Sequence, residues 1–407
     1  MKKIRFSAAV LFTLTTMLLG GCSALRPAEA VRESKTRYAE DALKEFVESG
    51  ELPGAISIFY HNNMQETACI GWANVEKRLP MSLDKLFMQC SQTKGFCGVT
   101  IAILVEEGKI SLDDPVAKYL PEFKELKVAV KGKDGKVTLV PAKNVLTVRM
   151  VMNHTGGFPF EIPSKSKNGW SSLSLRDTAR EAAKNPLLFE PGTNVKYSNT
   201  GIDIGAAVIE VVTGKPWEQF LKERVLDPLG MSDTTFKPTD EQLARSISLY
   251  VVKPGTKAQY RHFNGAMPRP YNGDNVHPSA GAGLWTTAAD QLKFYKMLMN
   301  LGVGDNNVRI LKAETVQNLL ATSTRPANLG FYSLGLAVSS SGDGWFGHGG
   351  AWQTSVWVNP KSRQLRLVVV QLNGKSNWSK AWGKAAEKFS ASTIDAAAAD
   401  AYTGRTQ

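Results

Sequence analysis

The chain has 407 residues, 43% apolar and 21% charged, with 35 glycines, 19 prolines and four cysteines. That apolar share excludes a disordered chain, and the glycine and cysteine usage excludes collagen-like and disulfide-dense scaffolds. The formal charge is +12, but no basic run stands out, so scattered solvated charge is expected and not a nucleic-acid surface.

The predicted elements begin with an address label. Lys2, Lys3 and Arg5 form a basic start in residues 1–21, which hold no acid, and Ala8 to Leu19 supply an apolar run. That run is too short to span a bilayer and reads as an export signal. Leu19-Gly20-Gly21-Cys22 resembles the bacterial lipobox, which predicts a lipid-modified Cys22, a membrane anchor and a tether over 22–33. Ser23 in the next position points to the periplasmic face of the outer membrane. Residues 34–49 then place Tyr38, Ala42, Phe46 and Val47 on one helical face, ending at Gly50. Ala55–Tyr60 and Gln65–Ala73 read as a hairpin around His61-Asn62-Asn63. Gln92 to Glu107 is apolar almost all round, as in a helix buried in mid-domain. Residues 113–275 read as helices and long loops, with a turn at Lys131–Gly135. Ala288–Leu301 is an amphipathic helix. Tyr332–Ser339, Gln353–Val358 and Leu365–Leu372 are strand-like, and a last helix runs from about Trp378 to Ala399. Strands at both ends with helices between them predict an α+β fold: an antiparallel sheet flanked by helices, with an inserted helical lobe. The sheet lobe takes 34–112 and 280–400, the helical lobe 113–279, in one domain over 34–400. Cys69, Cys90 and Cys97 permit at most one disulfide and are expected as buried free thiols; with no Cys-x-x-Cys pair or nearby histidines, no metal site is expected.

The chemistry starts from a serine and a lysine three residues apart, one turn apart on one helix face. A lysine kept neutral by its surroundings can take the serine proton, and a helix N-terminus can help hold an oxyanion. Three such pairs occur: Ser82 with Lys85, Ser91 with Lys94, and Ser164 with Lys167. Only Ser91 opens the buried helix, where its lysine would be desolvated; the other two sit in polar, turn-rich segments and read as solvated. Tyr-x-Asn occurs as Tyr60-His61-Asn62, a strand end, and as Tyr197-Ser198-Asn199, in a loop ahead of a helix from Gly201. A strand carrying His348-Gly349-Gly350-Ala351 would supply the third element. His154-Thr155-Gly156 is given a structural role.

In this order and spacing the three elements resemble the serine β-lactamase and penicillin-binding-protein superfamily, including class C β-lactamases, DD-carboxypeptidases and esterases of that fold. Glu106–Pro115, Tyr119-Leu120-Pro121, Met152–Gly157, Asp227–Met231 and Gly281–Asp290 are typical of its wording, and the matches span about 34–390. The resemblance implies a β-lactamase/transpeptidase-like fold without metal or cofactor. It implies Ser91 as nucleophile, Lys94 as its base, Tyr197 as a second proton relay and Asn199 as a substrate-orienting amide. His348 would stand where many relatives carry lysine, beside Gly349 and Gly350, and the amides of Ser91 and Ala351 would form the oxyanion hole.

Where lactam- and peptide-processing relatives carry Lys-Thr-Gly, His348-Gly349-Gly350 offers neither a fixed cation nor a hydroxyl to grip a carboxylate. The expected function is therefore a periplasmic serine hydrolase of the carboxylesterase or β-lactamase-related type, a monomer acting on a small ester. A D-alanyl-D-alanine carboxypeptidase or β-lactamase acting on peptidoglycan peptides or β-lactams is the alternative within the same chemistry. A non-catalytic acylable receptor lipoprotein is the alternative of another class.

Overall fold

The computed structural model describes residues 31–162, 172–252, 261–262, 276–374 and 377–403. The leader, Cys22 and the pair Ser164 and Lys167 lie outside these residues.

Among the described residues, eight strands form the main sheet: β1 (Arg32–Glu33), β2 (Gly54–His61), β3 (Met64–Asn74), β4 (Leu79–Pro80), β5 (Ala337–Val338), β6 (Phe346–Gly349), β7 (Ser355–Asn359) and β8 (Gln364–Val369). Their order is β1-β3-β2-β8-β7-β6-β5, with β4 paired to β3. All pairings are antiparallel except that of β1 with β3. The β2–β3 hairpin closes through Asn62 and Asn63, at φ +48° and +63°, the left-handed pair that a two-residue hairpin turn requires and asparagine tolerates.

Every residue of β2 is buried, because helices cover both faces of the sheet. Five helices matter here: α1 (Tyr38–Glu48), α2 (Thr93–Glu106), α3 (Asn199–Thr213), α4 (Ala288–Met299) and α5 (Trp378–Thr403). On one face, Ala55 and Phe59 pack with α1 and α5; the Phe59 ring lies 5.5 Å from Trp382 and 5.8 Å from Phe389, and Trp382 Nε1 donates to Ser57 Oγ at 2.8 Å. On the other, Ile56, Ile58 and Tyr60 join the larger core with α2, α3 and α4, where Phe96 stacks on Phe294 at 3.7 Å. Thr93 to Leu104 of α2 are all buried, as the apolar pattern predicts.

Several boundaries differ from the sequence reading, each for a tertiary reason. The first helix starts at Tyr38 and not at residue 34, because Glu66 of β3 accepts from the Ala39 N–H and the Thr36 hydroxyl and holds the preceding segment outside the helix. The expected strand 332–339 is reduced to Ala337–Val338; Ser333–Leu336 is a turn pressed onto α2, with Gly335 at φ +74°. The 113–279 region is not purely helical. It holds a hairpin of Lys127–Lys131 and Val137–Pro141, and Tyr250–Val251 pairs with Leu372–Asn373, so Tyr250 packs with the sheet lobe. Cys90 and Cys97 are buried free thiols, but Cys69 is exposed, its side of β3 being left uncovered. Lys85 is buried beside Asp84, not solvated.

Gly95 and Gly98 make the crossing of that turn over α2 possible. A Cβ at Gly98 would lie 1.7 Å from the Leu334 carbonyl oxygen, and one at Gly95 would lie 2.6 Å from the Leu336 side chain. Gly98→Ala should therefore destabilise the protein by at least about 1–3 kcal/mol, read as a lower urea midpoint at unchanged slope, whereas Gly108→Ala, with nothing within 4 Å, carries only the strain of φ +68°.

Candidate active site

Ser91 sits in a single 3-10 turn, Cys90–Gln92, that runs into α2. Cys90 before it is held at φ +52°, a conformation costing about 1–3 kcal/mol for a non-glycine residue unless its surroundings impose it. Here they do. Thr93 Oγ1 donates to the Cys90 carbonyl at 2.7 Å and accepts from Leu284 N–H at 3.2 Å. Gln92 Nε2 donates to the His348 carbonyl at 3.1 Å, and Gln92 Oε1 accepts from Gln291 at 2.7 Å. The nucleophile candidate is thereby fastened to β6.

Lys94, one turn further on, has no exposure. Its Nζ donates to Asn199 Oδ1 at 2.5 Å, to the Gly281 carbonyl at 2.6 Å and to Ser91 Oγ at 3.3 Å, and lies 4.6 Å from the centre of the Tyr197 ring. Burial pushes its pKa down to about 7, against the opposing pull of Asp203 and Glu161. The Tyr197 hydroxyl hydrogen-bonds Ser91, and burial pushes its pKa up to about 12. Near neutrality the tyrosine keeps its proton, so Lys94 is the group able to accept one from Ser91.

His348 is buried, and its Nδ1 lies 2.6 Å from the Gly349 carbonyl. A carbonyl only accepts, so Nδ1 carries the hydrogen. Burial first, then the charge of Lys94, pushes its pKa down to about 4. The neutral ring therefore offers Nε2 as an acceptor, taken by the Tyr332 hydroxyl at 2.9 Å with that of Tyr197 at 3.5 Å. His348 occupies the place the resemblance assigns it, but as an uncharged acceptor. Gly349 is exposed. Gly350 is wedged where a Cβ would fall 2.1 Å from Thr354 Oγ1 and 2.7 Å from the Gln89 carbonyl. Ala351 follows in the turn, its N–H beside the Cys90 thiol.

Asn199 differs from its expected setting. It is the first residue of α3 and not part of a loop; Ser198 is the N-cap, accepting from Gly201 N–H at 3.0 Å and donating to the Pro159 carbonyl at 2.6 Å. Both ends of its amide face the protein: Oδ1 accepts from Lys94, and Nδ2 donates to Glu161 Oε1 at 2.7 Å. In this arrangement Asn199 supports Lys94 through Oδ1, and one of the two N–H groups of its amide is engaged by Glu161.

Three contributors were not read as part of the site. Tyr332 looks like any strand aromatic, and only the turn over α2 carries it to His348. Glu161 follows a glycine turn without marking. His154, given a structural role, is at φ +68° and lies between Tyr197 and Tyr332 at ring distances of 4.5 and 4.6 Å, its Nδ1 accepting from Ser198 N–H at 3.3 Å. A buried histidine between the two tyrosines fixes both rings.

The model of the family described as Beta-lactamase matches residues 39–387. Protein Rv1367c of Mycobacterium tuberculosis (strain ATCC 25618 / H37Rv) is 28% identical over 332 residues, covering 80% of each chain. Among solved structures, EstCE1, a hydrolase with promiscuous acyltransferase activity, superposes with a TM-score of 0.68 at 21% identity over 86% of this chain and 97% of its own. A family VIII carboxylesterase does so with a TM-score of 0.68 at 20% identity over 86% and 96%. At those identities the two structures share the fold.

The site predicts its own pH dependence. Lys94 accepts a proton only when neutral, and its pKa lies near 7 instead of 10.5. The rate of Ser91 modification by a fluorophosphonate should rise about tenfold per pH unit up to about pH 7 and then level off; a limb still rising at pH 9 would contradict the assignment.

Proposed function

The chain belongs to the Beta-lactamase family, and on that premise we propose that it is a serine hydrolase that passes through an acyl-enzyme at Ser91. The observation that carries the reading is the neutral-prone Lys94 amine 3.3 Å from Ser91 Oγ. Lys94 takes the serine proton as Oγ attacks the acyl carbonyl, while the amides of Ser91 and Ala351 hold the developing oxyanion. The Tyr197 hydroxyl, hydrogen-bonded to Ser91, gives its proton to the departing alkoxide and is reprotonated from the Lys94 ammonium; in the second half-reaction water takes the alcohol's place and the same groups run in reverse.

Substrate choice follows from β6. Neutral, buried His348, its Nε2 occupied by Tyr332, supplies no cation, and Gly349 supplies no hydroxyl. A carboxylate-bearing β-lactam or a D-alanyl-D-alanine peptide would lack its grip, so the preferred substrate is a small uncharged ester. The names of the structural neighbours, a carboxylesterase and a hydrolase with acyltransferase activity, support that class. The lipobox-like Leu19–Cys22 stretch supports a periplasmic, lipid-anchored enzyme.

Ser91→Ala should abolish hydrolysis of p-nitrophenyl butyrate. The wild-type protein should cleave that ester with higher kcat/KM than a chromogenic cephalosporin or a D-Ala-D-Ala peptide; the opposite ranking would replace the esterase reading with the β-lactamase or peptidase one. A Cβ at Gly349 would meet only the Thr354 carbonyl, at 3.7 Å, so Gly349→Thr has room for its Cβ. It should move the ratio toward carboxylate-bearing substrates by roughly tenfold or more, the worth of one charge-assisted hydrogen bond of about 1.5–3 kcal/mol.

A further inference from the structure

Behind Lys94 lies a polar chain that the acyl-transfer steps above do not use. Glu161 Oε1 accepts from Asn199 Nδ2 at 2.7 Å, and Asn199 Oδ1 accepts from Lys94 Nζ at 2.5 Å. An amide has one donating end and one accepting end. With a carboxylate on the donating end, only the oxygen can face the lysine. The reversed amide would set its oxygen against the carboxylate and an N–H against the lysine. Nor can the side chain swing clear. The Asn199 N–H is tied to the Phe160 carbonyl at 2.9 Å, and Gly281 lies so near that a Cβ there would be 2.7 Å from Asn199 Cβ, Cγ and Oδ1.

The charges around this chain come from three directions. Lys94 faces it from α2. Asp203 of α3 accepts from the Gly281 N–H at 3.1 Å and pairs with His277 Nε2 at 3.1 Å. Burial and Asp203 push the Glu161 carboxyl up to about 7, while Asn199, His277 and Lys94 pull it the other way.

We propose that Glu161 is a positioning residue of the acyl-transfer centre: through Asn199 its carboxylate fixes which end of the amide faces Lys94, and its negative charge sets how readily Lys94 gives up its proton. This rests on the serine-hydrolase reading. Glu161 touches neither nucleophile nor substrate in the mechanism and acts only through the amide and its field.

Two full-length variants separate the two parts of the role. Glu161→Gln keeps a carbonyl for Asn199 Nδ2 but loses the charge. Near pH 7, where Glu161 is partly ionised, Lys94 should then deprotonate more easily, moving the midpoint of Ser91 fluorophosphonate labelling to lower pH by roughly a few tenths of a unit. Glu161→Ala also frees the amide, and its plateau rate should fall by roughly tenfold or more, and further than that of Glu161→Gln. A merely structural carboxylate would lower both plateaus alike and leave the limb in place, which would overturn the proposal. The Lys94 13Cε NMR titration provides a readout that needs no turnover: it should shift downward in Glu161→Gln, and an unchanged titration would also overturn the proposal. Failure of the wild-type protein to react with the fluorophosphonate would sink the hydrolase reading, while the lysine titration would still decide the role of Glu161 in tuning Lys94.

Discussion

The site depends on one buried amine. A lysine side chain with no exposure would normally be an unfavourable core residue, since an ammonium ion loses its water there. Here that cost is converted into chemistry, because desolvation lowers the pKa until the neutral form is populated near pH 7. Three acceptors, Asn199, Gly281 and Ser91, surround Nζ and keep the amine pointed at the serine. Each comes from a different part of the chain, so the fold must close correctly around Lys94 before any proton can move.

The glycines and the sheet accomplish that closure. Gly95 and Gly98 let the turn at Ser333–Leu336 settle on α2, and the turn delivers the Tyr332 hydroxyl to His348. Gln92 ties the same helix to the His348 carbonyl. The tyrosine hydroxyls then share one imidazole acceptor, with Tyr332 in the shorter contact. Tyr197 is left to serve Ser91. Two neutral aromatics and a neutral ring thus line this side of the site, leaving Asp203 and Glu161 as the carboxylates that act on the amine.

Much of this was legible from residue order alone. The α2 segment could be recognised as buried because nearly every position is apolar, and that burial singled out Ser91 from Ser82 and Ser164. The Asn62-Asn63 turn and its flanking strands follow from local pattern and turn chemistry. What could not be read depends on contacts between distant segments. Glu161 and Tyr332 have no local signature, and their meaning arises only when α3 and the 333–336 turn meet α2. The resemblance placed Asn199 near the site but could not say that both ends of its amide would be engaged. The strand expected at Tyr332–Ser339 failed because its residues have β-forming character while the glycine-lined helix beneath them imposes a turn.

The pairing of β2 with β8 joins Ile56 to Val369 and His61 to Gln364 at the centre of the sheet. Beyond β3, a chain emerging from the ribosome has no partner for the other edge of β2 until about 300 further residues exist, and closing so long a loop is slow and unrewarded until those strands arrive. The β2–β3 hairpin by itself is at best marginal in water. The growing polypeptide therefore cannot complete this sheet until β8 has been made. Because Gln92 ties the Ser91 turn to the His348 carbonyl of β6, the site takes its shape only when that strand docks against α2.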